Sequence, residues 1–408
     1  MKKEKLRILF APLSIFISHV TRCLCVAEVL HKRGHIIEFV SCQKYKMFIE
    51  DAGFNVHQVS EIEYEKGLVF GAPHEYKRRF NTDVFKMSFG FKKMIAEDTK
   101  IIENFKPDVI VYDGRITHLL SAYEKQIPCF EIRNHLGILS KEEMSFLKIE
   151  IPFNTEDINN DERDFALEFI KAAQSQFFNK KWDQNLFHLA PVIIPGIPEF
   201  EIQNENCFQL RKNIFVGPFF WKGWKKDGIG ITDKIDGKII VVVATGSTFP
   251  FKTAINSICN ALSDDRFQVV INAGDNYNIF TEDIKRKNCH FYKYIPLGMY
   301  LEKADLVIHH GGHGTTMHVL KAGLPSIIIP FNGDHMVISH QIENLKLGLV
   351  LKKYPDDISA ADVLVAVNEI MNNGKYKENA KYFQQLLENA NCAEEKAADF
   401  IELSYSQK

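Results

Sequence analysis

Several features that would place this chain in other classes are missing from its sequence. No stretch approaches the ~20 consecutive apolar residues of a membrane-spanning helix. The apolar run near the N-terminus ends at Ser14 and is too short for the core of a signal peptide. The formal net charge is −2, so the charge balance does not indicate a nucleic-acid partner. We therefore expect a cytoplasmic protein with no transmembrane segment and no nucleic-acid partner.

The sequence motifs of metal sites are also missing. Eight cysteines are scattered along the chain, and the one close pair, Cys23 and Cys25, falls two residues apart on a predicted helix, where side chains do not face each other. No Asp-x-Asp pair occurs, and no His/Cys cluster has the spacing of metal ligands. We therefore expect reduced thiols, no metal site and no bound cofactor.

Length and composition are those of an ordinary globular protein. With 408 residues, of which 46% are hydrophobic and 25% charged, the chain can form two domains, each with its own core. Aromatic residues reach 12% because 32 residues are phenylalanine. Many of these must be core, and others can line an apolar pocket.

Strand and helix patterns alternate in two series. Leu6 to Ala11 and Ile36 to Ser41 read as buried strands around a helix from Val20 to Arg33, and a second series starts at Lys238 to Ala244. A strand-helix-strand unit places both strands in one parallel sheet. The pattern predicts an α/β protein with two doubly wound domains. The predicted bounds are 1–217 for the first domain, 218–237 for a linker, 238–385 for the second domain and 386–408 for a C-terminal helix.

The predicted linker is rich in Gly, Lys and aromatic residues and shows no periodicity. Its aromatic side chains are Phe219, Phe220, Trp221 and Trp224, beside Lys222, Lys225 and Lys226. Such a mixture can contact a membrane surface. We favour packing at a hinge between the domains, with peripheral membrane contact as the alternative.

The most specific stretch runs from Asp305 to His340. A short apolar strand, Leu306 to Ile308, leads into a loop with three glycines, and Thr315 opens a predicted helix that stops at Gly323. Glycines let the backbone approach a ligand closely, and the unpaired N–H groups of a helix N-terminus carry partial positive charge. Such a corner binds phosphate.

This stretch resembles the nucleotide-sugar signature of the bacterial macrolide-type glycosyltransferases, relatives of the UDP-glucuronosyl and plant natural-product transferases. The signature HHGGxGT is complete as HHGGHGT, AGxP is complete as AGLP, and the usual DQ appears as Asp334-His335, expected in a loop. The resemblance implies the GT-B fold, in which two Rossmann-like domains face a cleft between acceptor and nucleotide sugar. It also implies that the last helix, read as one element from Tyr376 to Ser404, crosses back onto the first domain.

On the acceptor side, His19 stands in the first turn between strand and helix. By the resemblance it is the base histidine of a GHxxP-like turn, although Ser18 replaces the glycine and Arg22 lies near the usual proline. An imidazole ordinarily titrates near pH ~6.5 and can accept a proton from a hydroxyl. Asp113 ends the strand Val109 to Tyr112 and should reach the same sheet edge, where it would orient the ring. An ordinary loop histidine and a turn-capping aspartate are the alternatives.

On the donor side, His310 corresponds to the histidine that donates to the diphosphate. The backbone of Gly312 and Gly314 and the hydroxyl of Thr315 lie beside it in the signature. His313 fills the variable position and is expected to be an inert surface residue.

Four further residues take donor-binding roles by the same resemblance. Ser247 matches a serine that faces the phosphates, and Tyr294 takes the place of a residue that stacks near the nucleobase, with core packing as the alternative. Asp334 matches a carboxylate that accepts from sugar hydroxyls. His335 replaces the usual glutamine, so the donor sugar is left open.

These observations predict a metal-independent glycosyltransferase that uses a UDP- or TDP-sugar, and the resemblance implies inversion at the anomeric carbon. Phenylalanines cluster in two stretches, Glu61 to Lys106 and Ser140 to Leu189, which should lie above the strand ends near His19. We therefore expect an apolar acceptor such as a natural product, phenol, sterol or lipid-like alcohol. Core packing is the alternative explanation of these phenylalanines. A UDP-sugar 2-epimerase of the same fold and a catalytically silent GT-B partner protein are the competing functions.

Overall fold

Two parallel sheets organise the molecule. The structure is a computed structural model that describes residues 5–60, 93–134, 190–201, 212–223, 238–246, 251–281, 284, 286–330, 333–353 and 355–406. The stretch 135–189, with the second phenylalanine cluster, lies outside the described residues, as do residues 61–92, which hold most of the first, and Ser247.

The first sheet has seven parallel strands in the order β3-β2-β1-β4-β5-β6-β7. Its central strands are fully buried, which explains why they read as continuous apolar runs. The strands are β1 (Arg7–Pro12), β2 (Ile36–Ser41), β3 (Asn55–Gln58), β4 (Val109–Asp113), β5 (Cys129–Ile132), β6 (Val192–Ile194) and β7 (Asn213–Phe215).

Helices connect these strands and cover the faces of the sheet. The helix that carries His19 is α1 (Ile17–Lys32), which is the next element after β1 and buries a continuous apolar face. The others are α2 (Lys46–Asp51), preceded by a 3₁₀ turn at Gln43–Tyr45, a helical segment at 93–105 and α3 (Leu119–Glu124).

The second sheet has six parallel strands in the order β10-β9-β8-β11-β12-β13. These strands are β8 (Ile239–Ala244), β9 (Phe267–Asn272), β10 (Cys289–Tyr292), β11 (Leu306–His309), β12 (Ser326–Ile328) and β13 (Gly348–Val350). The helices are α4 (Lys252–Ala261), α5 (Tyr277–Thr281), α6 (Leu297–Leu301), α7 (His313–Lys321), α8 (Gly333–Asn344), α9 (Ala360–Asn372), α10 (Gly374–Asn389) and α11 (Ala393–Ser406). A 3₁₀ turn at Pro355–Asp357 precedes α9.

The C-terminal helix α11 packs against α1 of the first sheet's layer. Its apolar face, including Ala397 and Ile401, belongs to the same core as β1 and α1. At the rim of this contact Arg33 Nη1 lies 2.7 Å from Asp399 and 2.8 Å from Glu402, whose other oxygen lies 2.8 Å from His35 Nε2. The end of the chain is thereby fixed to the first domain by both apolar packing and ion pairs.

Two expectations about helix ends are wrong. Asp334 and His335 belong to the first turn of α8 and not to a loop. The expected single helix from Tyr376 to Ser404 is two helices, because the chain breaks between Asn389 and Ala393. At this break Cys392 takes a positive φ of 58°, a left-handed conformation that cannot continue a right-handed helix.

Trp221, in the predicted linker, packs in the first core and is not a surface residue. Its ring is buried, and Nε1 donates to Glu28 Oε1 at 2.9 Å. The ring edge also meets Phe48 at 6.1 Å between centroids. For this aromatic residue, packing within the protein replaces the alternative of membrane contact.

No helix among the residues that the structure describes combines the length and apolar character required to cross a bilayer.

Candidate active site

His19 and Asp113, 94 residues apart in sequence, meet at the carboxyl edge of the first sheet. Pro12 and Asp113 are partners at the ends of β1 and β4, and α1 begins five residues after Pro12. His19 therefore lies in the first turn of the helix, slightly later than the expected position before it. Its Nδ1 lies 2.5 Å from Asp113 Oδ1. The parallel register thus produces the contact that was predicted from the strand ends.

The ring of His19 is held closely on two sides. Gly114 follows Asp113 with φ +75°, and a Cβ at this glycine would stand 3.2 Å from His19 Cε1. Phe16 lies on another side, with 5.7 Å between the ring centroids. His19 is 22% exposed in its side chain, whereas Asp113 is 2% exposed. The ring is oriented from the buried side and remains accessible on the other.

Arg22 also binds the carboxylate of Asp113. It was not predicted as a site residue. Its Nε donates to Asp113 Oδ2 at 2.7 Å and its Nη2 donates to Oδ1 at 2.8 Å, a two-pronged contact. Arg22 follows His19 by three residues, so both side chains lie on one face of α1. That spacing was the signal in the sequence, and it was read only as a departure from the family's proline.

Arg22 and His19 together keep the carboxyl group of Asp113 ionised. Burial by itself would raise the pKa of Asp113, but the Arg22 guanidinium and His19 outweigh burial and hold that pKa below its ordinary value. Asp113 is therefore a carboxylate at neutral pH, and it accepts from the Nδ1–H of His19. In the neutral imidazole, the other ring nitrogen, Nε2, then carries the free electron pair.

The glycine loop lies at the corresponding edge of the second sheet. β11 ends at His309, Gly311 takes φ +90°, and α7 starts at His313 with Gly312 as its N-cap. No side chain caps the first turn of α7. Gly314 and Thr315, both half-buried, lie in that first turn. Backbone N–H groups of a helix N-terminus are thus available at the end of β11.

The ring of His310 lies between two glycines. A Cβ on Gly246, in the turn after β8, would stand 2.6 Å from His310 Cε1, and a Cβ on Gly312 would overlap Nε2. His310 Nδ1 lies 3.3 Å from the carbonyl oxygen of Ala244, so this nitrogen carries the hydrogen. Burial lowers the pKa of His310 to about 4. The imidazole is therefore neutral before any anion binds.

His309 and His335 complete a buried cluster around His310. The N–H of Gly311 donates to His309 Nδ1 at 3.2 Å, and burial, with His310 nearby, lowers the pKa of His309 to about 3. His335 meets His310 at 4.6 Å between ring centroids, and burial lowers its pKa well below the ordinary value. The residue that replaces the family's glutamine is thus a buried neutral imidazole in contact with His310.

The remaining predicted donor residues are placed less fully. Tyr294 is half-buried between β10 and α6, and Asp334 lies in the first turn of α8. Their predicted contacts with a nucleotide sugar stay predictions.

Proteins of known type share this architecture. The family model described as erythromycin biosynthesis protein CIII-like, C-terminal domain, matches residues 266–403. The uncharacterized UDP-glucosyltransferase YojK of Bacillus subtilis (strain 168) is 29% identical over 398 residues, which cover 96% of this chain and 95% of the relative. YdhE of the same organism, also described as an uncharacterized UDP-glucosyltransferase, is 23% identical over 374 residues, 90% and 91% of the two chains.

The solved structure of the glycosyltransferase VinC in complex with DTDP has the same fold. Its TM-score is 0.72 at 14% sequence identity, and the match covers 98% of this chain and 100% of that one. The chain is a glycosyltransferase with the GT-B fold, and it is similar to the macrolide-type enzymes. Both the resemblance and the fold inferred from the HHGGHGT signature are confirmed.

In this glycosyltransferase, His313 is not an inert surface residue, contrary to expectation. It is buried, and its Nε2 lies 2.7 Å from Glu201 Oε1. Glu201 follows β6 of the first sheet, and next to it the carbonyl of Phe200 accepts from Gln341 Nε2 at 2.6 Å. The variable position of the signature therefore joins the glycine loop of the second sheet to the segment that follows β6 of the first sheet. Sequence gave no signal for this pair, which is 112 residues apart.

Across the described residues of the glycosyltransferase, no three His, Cys, Asp or Glu side chains are grouped so as to hold a metal ion.

Proposed function

We propose that this chain is an inverting, metal-independent glycosyltransferase. It transfers the sugar of a UDP- or TDP-sugar to a hydroxyl group of an apolar small molecule, such as a natural product, phenol, sterol or lipid-like alcohol. The observation that carries the proposal is the hydrogen bond between His19 Nδ1 and Asp113 Oδ1 at 2.5 Å. It provides an oriented base in one domain, while the glycine loop in the other supplies the means to bind a diphosphate.

The acid-base step follows from the tautomer. Because Nδ1–H of His19 donates to Asp113, Nε2 takes the proton of the acceptor hydroxyl as its oxygen attacks the anomeric carbon. The bond from that carbon to the β-phosphate oxygen breaks, and the nucleoside diphosphate leaves with the electron pair. One displacement inverts the configuration. Asp113 stabilises the imidazolium that forms.

The leaving diphosphate gains its stabilisation from the second domain. Backbone N–H groups of Gly312 and Gly314, the Thr315 hydroxyl and the N-terminus of α7 bind its oxygens. His310 donates from Nε2 while Nδ1–H stays on the carbonyl of Ala244, so the ring takes up a proton when the anion binds. Metal independence rests on this set of donors being sufficient.

The other donor contacts are assigned by the resemblance. Ser247 contacts the phosphates, Tyr294 lies by the nucleobase, and Asp334 and His335 contact the sugar. The UDP-glucosyltransferase names of the two relatives support a UDP-sugar, and the DTDP complex of VinC supports a TDP-sugar. A cytoplasmic location is supported by the free thiols of the described cysteines.

The experiment that tests this function is a matrix of donors and acceptors read by mass spectrometry. UDP- and TDP-sugars are each incubated with phenolic, steroidal and saccharide acceptors, with and without EDTA. We expect a new glycoside of an apolar acceptor, undiminished by EDTA, and an anomeric coupling constant by NMR that shows inversion. Activity lost in EDTA and restored by magnesium or manganese would contradict the leaving-group mechanism, and glycosylation of saccharides alone would contradict the acceptor class.

Two outcomes would replace the proposed function itself. Interconversion of the donor sugar without any acceptor indicates a UDP-sugar 2-epimerase. Nucleotide binding without turnover of any pair, joined to stimulation of another transferase, indicates a silent GT-B partner.

A further inference from the structure

Two side chains share one buried carboxylate at the acceptor side. Asp113 accepts from Arg22 through both oxygens, at 2.7 and 2.8 Å, and Oδ1 also accepts from His19. Arg22 Nη2 lies 3.3 Å from His19 Nδ1, so the guanidinium is adjacent to the imidazole as well as to the carboxylate. The expected pair of base and carboxylate is therefore a cluster of three groups.

The permanent charge of arginine changes what the carboxylate does to the histidine. A buried carboxylate alone strongly favours a protonated imidazole, because the imidazolium is then its only counter-charge. With the guanidinium bound to both oxygens, Asp113 already has a counter-charge, and a second positive charge on His19 would lie beside the first. The cluster is therefore balanced when His19 is neutral.

The other titratable groups around this cluster do not alter that balance. Cys23, on the same helix, is fully buried, and burial raises the pKa of its thiol well above the ordinary value. Arg115, two residues beyond Asp113, pairs with Asp98 at 2.9 Å. The acidic side chains of α11, Asp399 and Glu402, pair with Arg33 and His35 beyond the other end of α1.

We propose that Arg22 is a positioning residue that fixes Asp113 in its orientation and keeps the imidazole of His19 neutral, ready to accept the acceptor's proton. The proposal rests on the proposed role of His19 as the base. It assigns a function to the residue that lies near the usual proline of the family's GHxxP-like turn. Arg22 extends the working range of the base toward lower pH, since the protonated and inactive form of His19 is disfavoured.

The direct test is a histidine-ring NMR titration, which needs no turnover. The His19 signal is identified by its loss in His19→Ala, and its titration midpoint is compared in wild type, Arg22→Gln and Arg22→Lys. We expect the midpoint of Arg22→Gln to rise by about one pH unit, because Asp113 then lacks its other counter-charge. Arg22→Lys keeps the charge and should titrate close to wild type. An unchanged or lower midpoint in Arg22→Gln overturns the proposal.

A second pair of variants keeps the test decisive if Arg22→Gln fails to fold. Asp113→Asn retains the Arg22 charge without the carboxylate, and Arg22→Gln/Asp113→Asn removes both buried charges. The double variant should titrate at higher pH than Asp113→Asn by a similar amount. Equal midpoints would show that Arg22 does not act on the imidazole.

Kinetics then separate this proposal from the proposed function. If the chain transfers sugar, the acid limb of the kcat/KM profile should move to higher pH in Arg22→Gln, with about tenfold lower kcat/KM at pH 6 and recovery at pH 8. A purely structural Arg22 would lower the rate equally at every pH. If no variant transfers sugar, the proposed function fails while the NMR shift still decides the effect of Arg22 on His19.

Discussion

Histidines stand on both sides of the candidate site, and their surroundings differ. His19 is partly exposed and hydrogen-bonded to a buried carboxylate that Arg22 also binds. His310, in contrast, is buried and donates to the carbonyl of Ala244, and burial lowers its pKa to about 4. The same side chain therefore lies beside charged groups in the first domain and is buried as a neutral imidazole in the second. The environment and not the residue type determines the role.

The largest expected effect comes from removing the base. His19→Ala should lower the transfer rate by about 10²- to 10⁴-fold, because no other group would take the hydroxyl proton, and should leave nucleotide affinity unchanged. His57→Ala is the matched control, since His57 Nε2 also lies 2.5 Å from a carboxylate, Glu38, in the same sheet. Steady-state kinetics and calorimetric binding of UDP and TDP measure both quantities. A His19 variant that kept most of its rate would place the base elsewhere.

Next in size is the donor-side histidine. His310→Ala should weaken nucleoside diphosphate binding by about 10- to 100-fold, the cost of a hydrogen bond to a charged group, and lower transfer with it. His290→Ala, a half-buried histidine on β10 of the same sheet, serves as the control. If both variants bound UDP and TDP as tightly as wild type, His310 would not contribute to nucleotide binding, and the role proposed for it would be wrong.

A smaller effect concerns the proton that His310 must gain. Its pKa of about 4 in the free protein should rise when a diphosphate binds, so affinity should increase as pH falls toward that value, by at most about tenfold per pH unit. Calorimetry at one pH in buffers of different ionisation enthalpy should show proton uptake on binding. His310→Gln donates without titrating and should abolish the uptake. Uptake that persists in this variant would assign the proton to another group.

The smallest effect is on stability in acid. Folding lowers the pKa of His309 to about 3 from an ordinary value of about 6.5, so the unfolded chain binds the extra proton. The contribution of the buried His309 to the free energy of unfolding is complete above about pH 6.5. It is lost as pH falls, by up to about 1.4 kcal/mol per pH unit. His309→Asn should therefore flatten the dependence of the urea midpoint on pH between 6.5 and 5. A slope identical to wild type would show that the buried ring is not neutral.

Local sequence patterns predicted much of the fold and the glycine loop of the second domain. The strand Ile36–Ser41 was predicted with the bounds that the structure shows, because apolar runs between Gly, Pro and polar residues mark buried strands. The glycine loop was equally clear, since glycines, strand and helix follow one another without interruption. Each of these signals lies within a few tens of residues.

Contacts between distant segments were harder to predict. Asp113 was expected near His19 with a turn-capping aspartate as the alternative, and the parallel register of β1 and β4 brings it to the edge where His19 lies. Arg22 looked like a departure from the family's pattern until the carboxylate that it binds was in place. The burial of His313 against Glu201 left no trace in the local sequence.

The sequence by itself determined the strands and helices, the glycine loop after β11 and the resemblance to macrolide-type glycosyltransferases. Hydrophobic periodicity, the placement of glycines and the HHGGHGT signature are all properties of neighbouring residues. Tertiary structure alone decided which charges surround each histidine. Burial and the approach of side chains from other strands and helices determine whether an imidazole carries a proton, and those distances exist only once the chain has folded. For this reason two histidines have different surroundings: His19 lies beside the charged Asp113 and Arg22, whereas His310 is buried beside the neutral His335.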